Sequence, residues 1–346
     1  METRLCSRFF IGLPRRFFSL FTTCLIFAFF TCEPTVARPN SCAPAEVDVN
    51  IILPDGKLIR GLKSDSFVAQ LKHKDVRIDS MSYDTGPRRI VFVLDAGSDL
   101  PADAKKAEVG VVSDLIAQIP LENSLALITT RGENTKVPFG EPRESLAAAL
   151  KHLLEPSRSR PPEEGALDAV LEGVEWFGKA RPGDAIVMMA SEIDGNQHAK
   201  YSTVAKAMAD HHVRLFSFLL GPLVAGTFDN EISTNYRGHL SMSSTLMPNR
   251  ENLSALTWNS GGYMVVEYVK NPLKEYKLTE AHLDELRHEG RQMYGAAAEF
   301  YRVVMVPPAQ SGQHEEWNLE LSESMLKRIP QAKVLYQHES PACVVP

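Results

Sequence analysis

Two aspartates, Asp95 and Asp99, follow an unbroken apolar run at 90–94 and open a short turn of small and polar residues. Such a run is typical of a strand that is buried on both faces of a parallel sheet. A helical pattern follows from 101 to about 118. In open α/β sheets, ligands bind at the carboxyl ends of the strands. This turn is therefore predicted to be a binding site.

The usual catalytic motifs are missing from the sequence. It has no Gly-x-Ser-x-Gly elbow, P-loop or dinucleotide-binding glycine pattern. The segment 287–291, Arg-His-Glu-Gly-Arg, lacks the second histidine of the zinc-protease motif. His282 and His288 are six residues apart and do not share a helix face. Because no nucleophile and base are placed together, the chain is predicted not to be an enzyme; the alternative is a hydrolase whose site is unrecognised.

The overall composition is that of an ordinary globular protein. The chain has 346 residues, of which 44% are hydrophobic and 23% charged, enough for one large or two modest domains. Its formal net charge of −6 gives no support to a nucleic-acid partner.

The first 37 residues have the pattern of a secretory signal. Four arginines precede an uncharged apolar run at 17–30, and small residues up to Ala37 offer a cleavage point. The run is short for a spanning helix, and the alternative is a signal retained as an anchor. The chain is thus predicted to be secreted or periplasmic, with membrane contact only through a retained anchor.

Three of the five cysteines lie in this signal, and the other two, Cys42 and Cys343, lie near opposite ends of the remaining chain. An exported protein meets oxidising conditions, in which a pair of cysteines can form a bridge. We predict a Cys42–Cys343 disulfide that ties the two ends together. The alternative is two unrelated thiols.

Strand and helix patterns alternate from residue 90 onward, as in βαβ units with a parallel sheet. Further strands are predicted at 124–129, 185–190, 213–220 and 263–266, and a proline-bearing edge strand at 135–139. Helices are predicted at 103–119, 143–154, 163–178, 201–212 and 250–258. This part of the chain is predicted to be a doubly wound, mainly parallel α/β sheet.

A long loop is predicted at 221–249, rich in Gly, Ser, Asn and Pro. It joins the fifth strand to the next helix and should rise from the same face as Asp95. Its apolar and aromatic side chains would form a binding rim; the alternative is a mobile surface insertion. These side chains are Phe228, Tyr236, His239, Met242 and Met247.

Short strand patterns flank the α/β region on both sides. Before it they lie at 47–52, 57–59, 68–71 and 76–78, with a turn signal at Pro54-Asp55-Gly56. After it, a helix is predicted at 280–293, followed by strands at 299–306, 317–321 and 332–336. We expect the two flanks to pack together as one small β module.

The turn at 95–99 carries a family resemblance. Four or five hydrophobic residues followed by Asp-x-Ser-x-Ser open the von Willebrand factor A (VWA) domain, and this chain has Asp-Ala-Gly-Ser-Asp. The strand, Asp-Gly turn and Gly-Leu-x-x-x-x-Phe at 61–67, ahead of such a domain, resemble the VWFA-related family described from acidobacteria, as does the Gly261-Gly262 pair before the last strand. The resemblance implies a VWA-type sheet with an added β module.

The resemblance also implies a metal-ion-dependent adhesion site, which holds Mg²⁺ through oxygen ligands and leaves one position for a partner's carboxylate. Asp95 matches the leading aspartate, Asp99 stands at the second serine position, and Glu192 stands where the aspartate after the fourth strand belongs. Gly97 and Gly165 replace residues with hydroxyl groups. With more acids and fewer hydroxyls, the site is degenerate and would favour Ca²⁺ or bind nothing; Asp95 would then cap the next helix.

These patterns predict a signal at 1–37, an N-terminal β extension at 45–88, a VWA-like domain at 89–270 and a C-terminal helix and β extension at 279–346. The predicted function is binding of a protein or surface ligand outside the cytoplasm, with Asp95, Asp99 and Glu192 as the ligands of a Mg²⁺ or Ca²⁺ ion. The alternative is a structural subunit of an envelope assembly that binds no metal.

Overall fold

The computed structural model describes residues 44–71, 73–95, 102–130, 135–155, 165–190, 198–220, 248–266, 277–306 and 317–338, with only the backbone of Asp95 and 248–251. The strands in these ranges are β1 (Ala45–Ile52), β2 (Phe67–Leu71), β3 (Lys74–Asp84), β4 (Arg89–Asp95), β5 (Ser124–Thr130), β6 (Lys136–Val137), β7 (Ala185–Ala190), β8 (Arg214–Leu219), β9 (Met264–Val266), β10 (Phe300–Val306), β11 (Trp317–Leu321) and β12 (Lys333–Tyr336). The α-helices are α1 (Ala102–Gln118), α2 (Arg143–Leu153), α3 (Ala166–Phe177), α4 (Tyr201–His211), α5 (Pro248–Asn259), α6 (Glu280–Ala298) and α7 (Glu323–Arg328).

A central sheet has six strands in the order β6-β5-β4-β7-β8-β9. Five of them are parallel, and the short edge strand β6 runs antiparallel to β5. Counted from β4, this is the 3-2-1-4-5-6 order of a doubly wound sheet. The prediction of an α/β fold with a mainly parallel, helix-flanked sheet is confirmed.

Helices cover both faces of the central sheet. Alternate residues of β4 pack on α1, α2 and α6 on one face and on α3, α4 and α5 on the other. All residues of β7 and β8 are consequently buried. Because each strand faces apolar helices on both sides, its sequence is a continuous apolar run and lacks the alternation of a half-exposed strand.

A second sheet, the β module, has the order β11-β2-β3-β10-β1-β12, and all its neighbouring strands are antiparallel. Strands from the two ends of the chain alternate in it, with β10 between β1 and β3. The edge strands approach each other, since the Trp317 N–H donates to His338 O and the Tyr336 hydroxyl donates to Trp317 O, both at 3.1 Å. The expectation of a small β module holds only in part, because this sheet has six strands and is nearly closed.

Several elements differ from those predicted by pattern. β3 has 11 residues where a strand of three was expected. Pairing with a strand on each edge makes it long, and its many exposed side chains hid this length from the apolar pattern. The predicted strand at 57–59 is reduced to a single bridge between Ile52 and Leu58. α7 was not predicted, and α6 continues five residues beyond its predicted end at 293. Among the described helices, none is long and apolar enough to cross a membrane.

The last turn of α6 lies where the central sheet meets the β module, and two buried arginines cap it. Arg214 Nη2 donates to Ala297 O at 2.8 Å and Nη1 donates to Ala296 O at 3.3 Å, while Arg88 Nε donates to Ala298 O at 2.8 Å. The last carbonyls of a helix lack partners within it, and the negative end of its dipole favours cations. Burial lowers the pKa of Arg214 to about 10, so its guanidinium stays charged at neutral pH.

The Phe300 ring fixes these two cations further. The guanidinium carbons of Arg88 and Arg214 lie 4.3 and 4.5 Å from the ring centroid. Arg214 Nη1 also donates to Asn50 Oδ1 of β1 at 2.7 Å. A residue at the start of β8 is therefore bonded both to α6 and to the β module.

The glycine pair before β9 belongs to the same junction. A Cβ on Gly262 would lie 1.7 Å from Leu215 O, closer than any side chain tolerates. Gly261 has a φ of +86°, and its Cβ would lie 2.9 Å from Gln337 N just after β12. The pair therefore lets this turn pass close to both β8 and the β module.

Candidate functional site

Asp95 is the last residue of β4 and lies at the carboxyl edge of the central sheet. It is paired in register with Thr130, the last residue of β5. On the other side, the parallel register of β4 and β7 brings it level with Ala190, the last residue of β7. Since Glu192 follows Ala190 by two residues, the strands that lead to both predicted ligands are neighbours that end at one edge.

This edge is also the switch point of the doubly wound sheet. From β4 the chain crosses to β5 through α1 on one face, and it enters β7 from α3 on the other face. Connections that diverge in this way leave a crevice outside the carboxyl ends of the two central strands, where ligands bind in open α/β sheets. Asp95 therefore ends one of the two strands that meet at the switch point.

Asp168, in the first turn of α3, fixes two connections at this edge. Its carboxylate accepts hydrogen bonds from the backbone N–H groups of Gly165 at 3.1 Å, His198 at 3.1 Å and Ala199 at 2.7 Å. The side chain is 17% exposed. Because carboxylates are favourable at helix N-termini, one residue stabilises α3 and holds the segment before α4 against it.

Two threonines end β5 beside Asp95. Thr129 and Thr130 are each 1% exposed. The Thr129 hydroxyl accepts from the Thr135 N–H at 2.9 Å and so closes the turn between β5 and β6. Thr129 is thereby engaged in holding this turn.

A further carboxylate, Asp103, lies in the first turn of α1. Its Oδ2 accepts from the Leu278 N–H at 3.0 Å, and this bond, followed by the charge of Lys106, lowers the pKa of Asp103. The contact ties the segment that precedes α6 to the edge where α1 begins.

The predicted ligands are only partly covered by the structure. The backbone of Asp95 is described, while Asp99 and Glu192 lie outside the described residues, as do Gly97 and the rim residues of the loop predicted at 221–249. The last two residues of that predicted loop, 248 and 249, belong to α5. Gly165 directly precedes α3, which begins three residues later than the predicted start at 163, and it supplies no side-chain ligand. Among the described side chains, no group of three or more His, Cys, Asp or Glu is placed to hold a metal ion.

The cysteine pair and the signal are not tested by the structure, whereas two histidines at the end of α4 are described. Cys42 and Cys343 lie outside the described residues, as does the signal at 1–37. His211 ends α4, and its Nδ1 lies 3.1 Å from Gly178 O. His212 follows in a left-handed conformation with a φ of 51°.

Asp168 and the capping arginines were missed by the sequence reasoning. For Asp168 a signal existed, because an acid three residues after the residue that precedes a helix is the capping-box spacing. For Arg214 none existed, since one arginine at the start of an apolar strand does not indicate a helix terminus far along the chain.

The strand order defines the class of this protein as a doubly wound α/β protein with the mainly parallel, helix-flanked sheet that the VWA resemblance implied. The sequence matches no protein-family profile and no curated protein. Solved structures with detectable similarity include an aerotolerance-related membrane protein from Bacteroides fragilis, with 15% identity over 59% of this chain and 99% of that one and a TM-score of 0.37.

Two further similar structures are BatB from Bacteroides thetaiotaomicron and the SpRpn10 VWA domain. The first has 17% identity over 60% of this chain and 98% of that one, with a TM-score of 0.39. The second has 12% identity over 59% and 95%, with a TM-score of 0.37. The central sheet is a doubly wound sheet by its own strand order.

Proposed function

We propose that this protein binds a protein or surface ligand outside the cytoplasm through the carboxyl edge of its central sheet, and that it is not an enzyme. The observation that carries the proposal is the switch point, where β4 and β7 end side by side with Asp95 at the end of one strand and Glu192 two residues beyond the other. A doubly wound sheet binds its ligands at this place.

A divalent cation at this edge is part of the proposal. Asp95, Asp99 and Glu192 would supply carboxylate oxygens, the donors that Mg²⁺ and Ca²⁺ take. Three acids without hydroxyl ligands suit Ca²⁺ better, since it accepts larger and more flexible cages. When bound, the ion would offer a free coordination position to an acidic group of the partner.

Isothermal titration with Ca²⁺, Mg²⁺ and Mn²⁺ tests this site. We expect Ca²⁺ to bind the wild-type protein and to lose its binding in Asp95→Ala. Asp210→Ala is the matched control, since Asp210 is an acid of α4 paired with Lys206 at the surface, and it should bind as the wild type does. Equal binding by the Asp95 and Asp210 variants would place the ion elsewhere.

The alternative function is a structural subunit without a metal. It is favoured by Gly165, which precedes α3 where the VWA resemblance implies a threonine ligand. The absence of heat with all three cations, together with partner capture that is equal for wild type and Asp95→Ala, would support this alternative and reject the cation site.

The location and the disulfide belong to the same proposal. The strands β1 and β12, from the two ends of the chain, are neighbours in the β module, with Val49 opposite Tyr336. This pairing of the two ends supports the proposal of a Cys42–Cys343 bridge, whose cysteines both lie outside the described residues. Mass spectrometry of the exported protein, alkylated with and without reductant, should show an N-terminus at Arg38 and no free thiol before reduction; two free thiols would contradict the bridge.

A further inference from the structure

A cavity of about 340 Å³ lies at the opposite, amino edge of the central sheet. Its walls come from β1 of the β module, from the turn before β7, from the start of β8 and from Gln337 after β12. Small-molecule sites in proteins begin at about 300 Å³. The cavity is therefore a second candidate site, independent of the carboxyl edge.

Asp48 provides a negative group on one wall. Its Oδ2 accepts from the Gly183 N–H at 2.7 Å, and within the described residues it has no other hydrogen bond and no ion pair. Burial raises the pKa of Asp48, and the charge of Arg214 opposes this only in part. A carboxylate can accept about four hydrogen bonds, so Asp48 has acceptor capacity for a ligand that brings N–H donors. Glu46 adds a second acid at the exposed rim.

Arg181 provides a positive group on another wall. Its backbone N–H donates to Asp184 Oδ2 at 2.9 Å, which fixes the turn, while its guanidinium has no acceptor among the described residues. His212, at the end of α4, lines the same side. A guanidinium in this position can bind a carboxylate through two parallel hydrogen bonds.

The rest of the lining consists of four small apolar residues, Pro44, Ala45, Ala180 and Pro182, together with the polar Gln337 and the buried cation Arg214. The charge of Arg214 opposes the ligand's ammonium group, and Asp48 balances this charge only in part. The volume of about 340 Å³ lies near the lower end of the range for small-molecule sites. It therefore suits a compact molecule that carries an ammonium group for Asp48, a carboxylate for Arg181 and a short apolar or neutral part between these walls.

We propose that this cavity binds a free α-amino acid, with its ammonium group on Asp48 and its carboxylate on Arg181. This site uses no residue of the carboxyl edge. Its presence or absence therefore leaves the proposed partner binding unaffected.

Isothermal titration of the full chain with L-alanine, L-leucine and L-glutamine tests the site. For the best binder, the amide derivative removes the carboxylate and the N-acetyl derivative removes the ammonium charge. We expect the free amino acid to bind at least about tenfold more tightly than either derivative, a difference of about 1.4 kcal/mol. If none of the three amino acids gives heat at about 10 mM, any binding is weaker than a Kd of about 10 mM. That result would overturn the proposal.

Two variants assign the two ends of the ligand. Arg181→Gln should abolish the preference for the amino acid over its amide, and Asp48→Asn should abolish the preference over the N-acetyl derivative. Lys327→Gln, on the exposed surface of α7, is the control and should bind as the wild type does. The Arg181 side chain is exposed and unpaired among the described residues, so Arg181→Gln should fold even if Asp48→Asn does not. If Arg181→Gln keeps the preference for the amino acid over its amide, the assignment of the carboxylate to Arg181 is wrong.

Discussion

The two edges of the central sheet differ in what they hold. At the amino edge, Arg88 and Arg214 cap the last turn of α6, and Arg89 binds Asp184 through Nε at 2.9 Å. At the carboxyl edge, β4, β5, β7, β8 and β9 each lead into a connecting segment, and two of these segments contain Asp99 and Glu192.

This difference separates the buried groups that stabilise the fold from the edge that we propose to recognise a partner. The amino edge concentrates buried charges, close backbone approaches and the contacts with the β module, so substitutions of these buried groups should unfold the protein, whereas the exposed Arg181 of the amino-acid cavity should tolerate substitution. The carboxyl edge carries its chemistry on connecting segments, where substitutions should change binding with less effect on folding. Four predictions test this division, from the largest expected effect to the smallest.

Gly262→Ala should have the largest effect. Its Cβ would lie 1.7 Å from Leu215 O, and a backbone atom in a buried sheet cannot move away. We expect the free energy of unfolding to fall by more than about 4 kcal/mol, in the range reserved for severe steric damage. Chemical denaturation measures this loss.

The control for Gly262→Ala is Gly295→Ala in α6. There the nearest atom to the new Cβ is 3.8 Å away, on Leu58. Alanine favours a helix over glycine by about 1 kcal/mol, so this variant should be neutral or stabilised. Similar losses for both glycines would contradict the steric explanation.

Arg214→Met should lower the free energy of unfolding by about 3–5 kcal/mol, as expected when one partner of a buried polar arrangement is removed. The change leaves Asn50 Oδ1 and two carbonyls at the end of α6 without their donor. Denaturation with urea measures this loss.

Arg77→Met is the control, because it removes an arginine that is 74% exposed and paired with Asp79. It should change the free energy of unfolding by less than about 0.5 kcal/mol. A loss equal to that of Arg214→Met would show that burial is not the cause.

His338 makes the contact between the central sheet and the β module sensitive to acid. Its ring stacks on Tyr336 at 4.3 Å, its Nε2 is buried without a partner within the described residues, and burial lowers its pKa to about 4. In the unfolded chain the His338 ring binds a proton near pH 6.5, whereas in the folded protein it stays neutral until the pH approaches 4. The free energy of unfolding therefore falls as the pH is lowered from 6.5 towards 4. The loss should reach up to about 3 kcal/mol.

The His338→Phe variant isolates this effect, since it keeps an aromatic ring on Tyr336 and cannot be protonated. The pH dependence of thermal unfolding between pH 6.5 and 4 should be less steep in the variant than in the wild type. Parallel curves would rule out His338 as the source.

Asp168→Ala should have the smallest effect of the four, because it lies at the carboxyl edge. Three backbone N–H groups lose their shared acceptor, which should lower the free energy of unfolding by about 1–3 kcal/mol. Hydrogen exchange should increase at His198 and Ala199 while β7 stays protected. A loss as large as that of Arg214→Met would remove the distinction between the two edges.

Much of the central sheet could be predicted from single-residue patterns. The runs at 90–94 and 185–190 are apolar throughout because helices cover both faces, so they were recognised with nearly correct bounds. β3 was underestimated, because its exposed side chains leave little apolar alternation to detect. The length of such a strand depends on the strands that pair with its two edges, and the local sequence pattern carries no information about these partners.

The sequence by itself determined the strand and helix succession of the central sheet and the position of Asp95 at a strand end, because both depend on local apolar periodicity. The tertiary structure decided how the two ends of the chain interleave in the nearly closed sheet, and it brought Asp48, Arg181 and Arg214 around one cavity. Asp48 precedes Arg181 by 133 positions and Arg214 by 166. Contacts across such separations follow from packing and electrostatic compensation in the folded chain, and no local pattern encodes them.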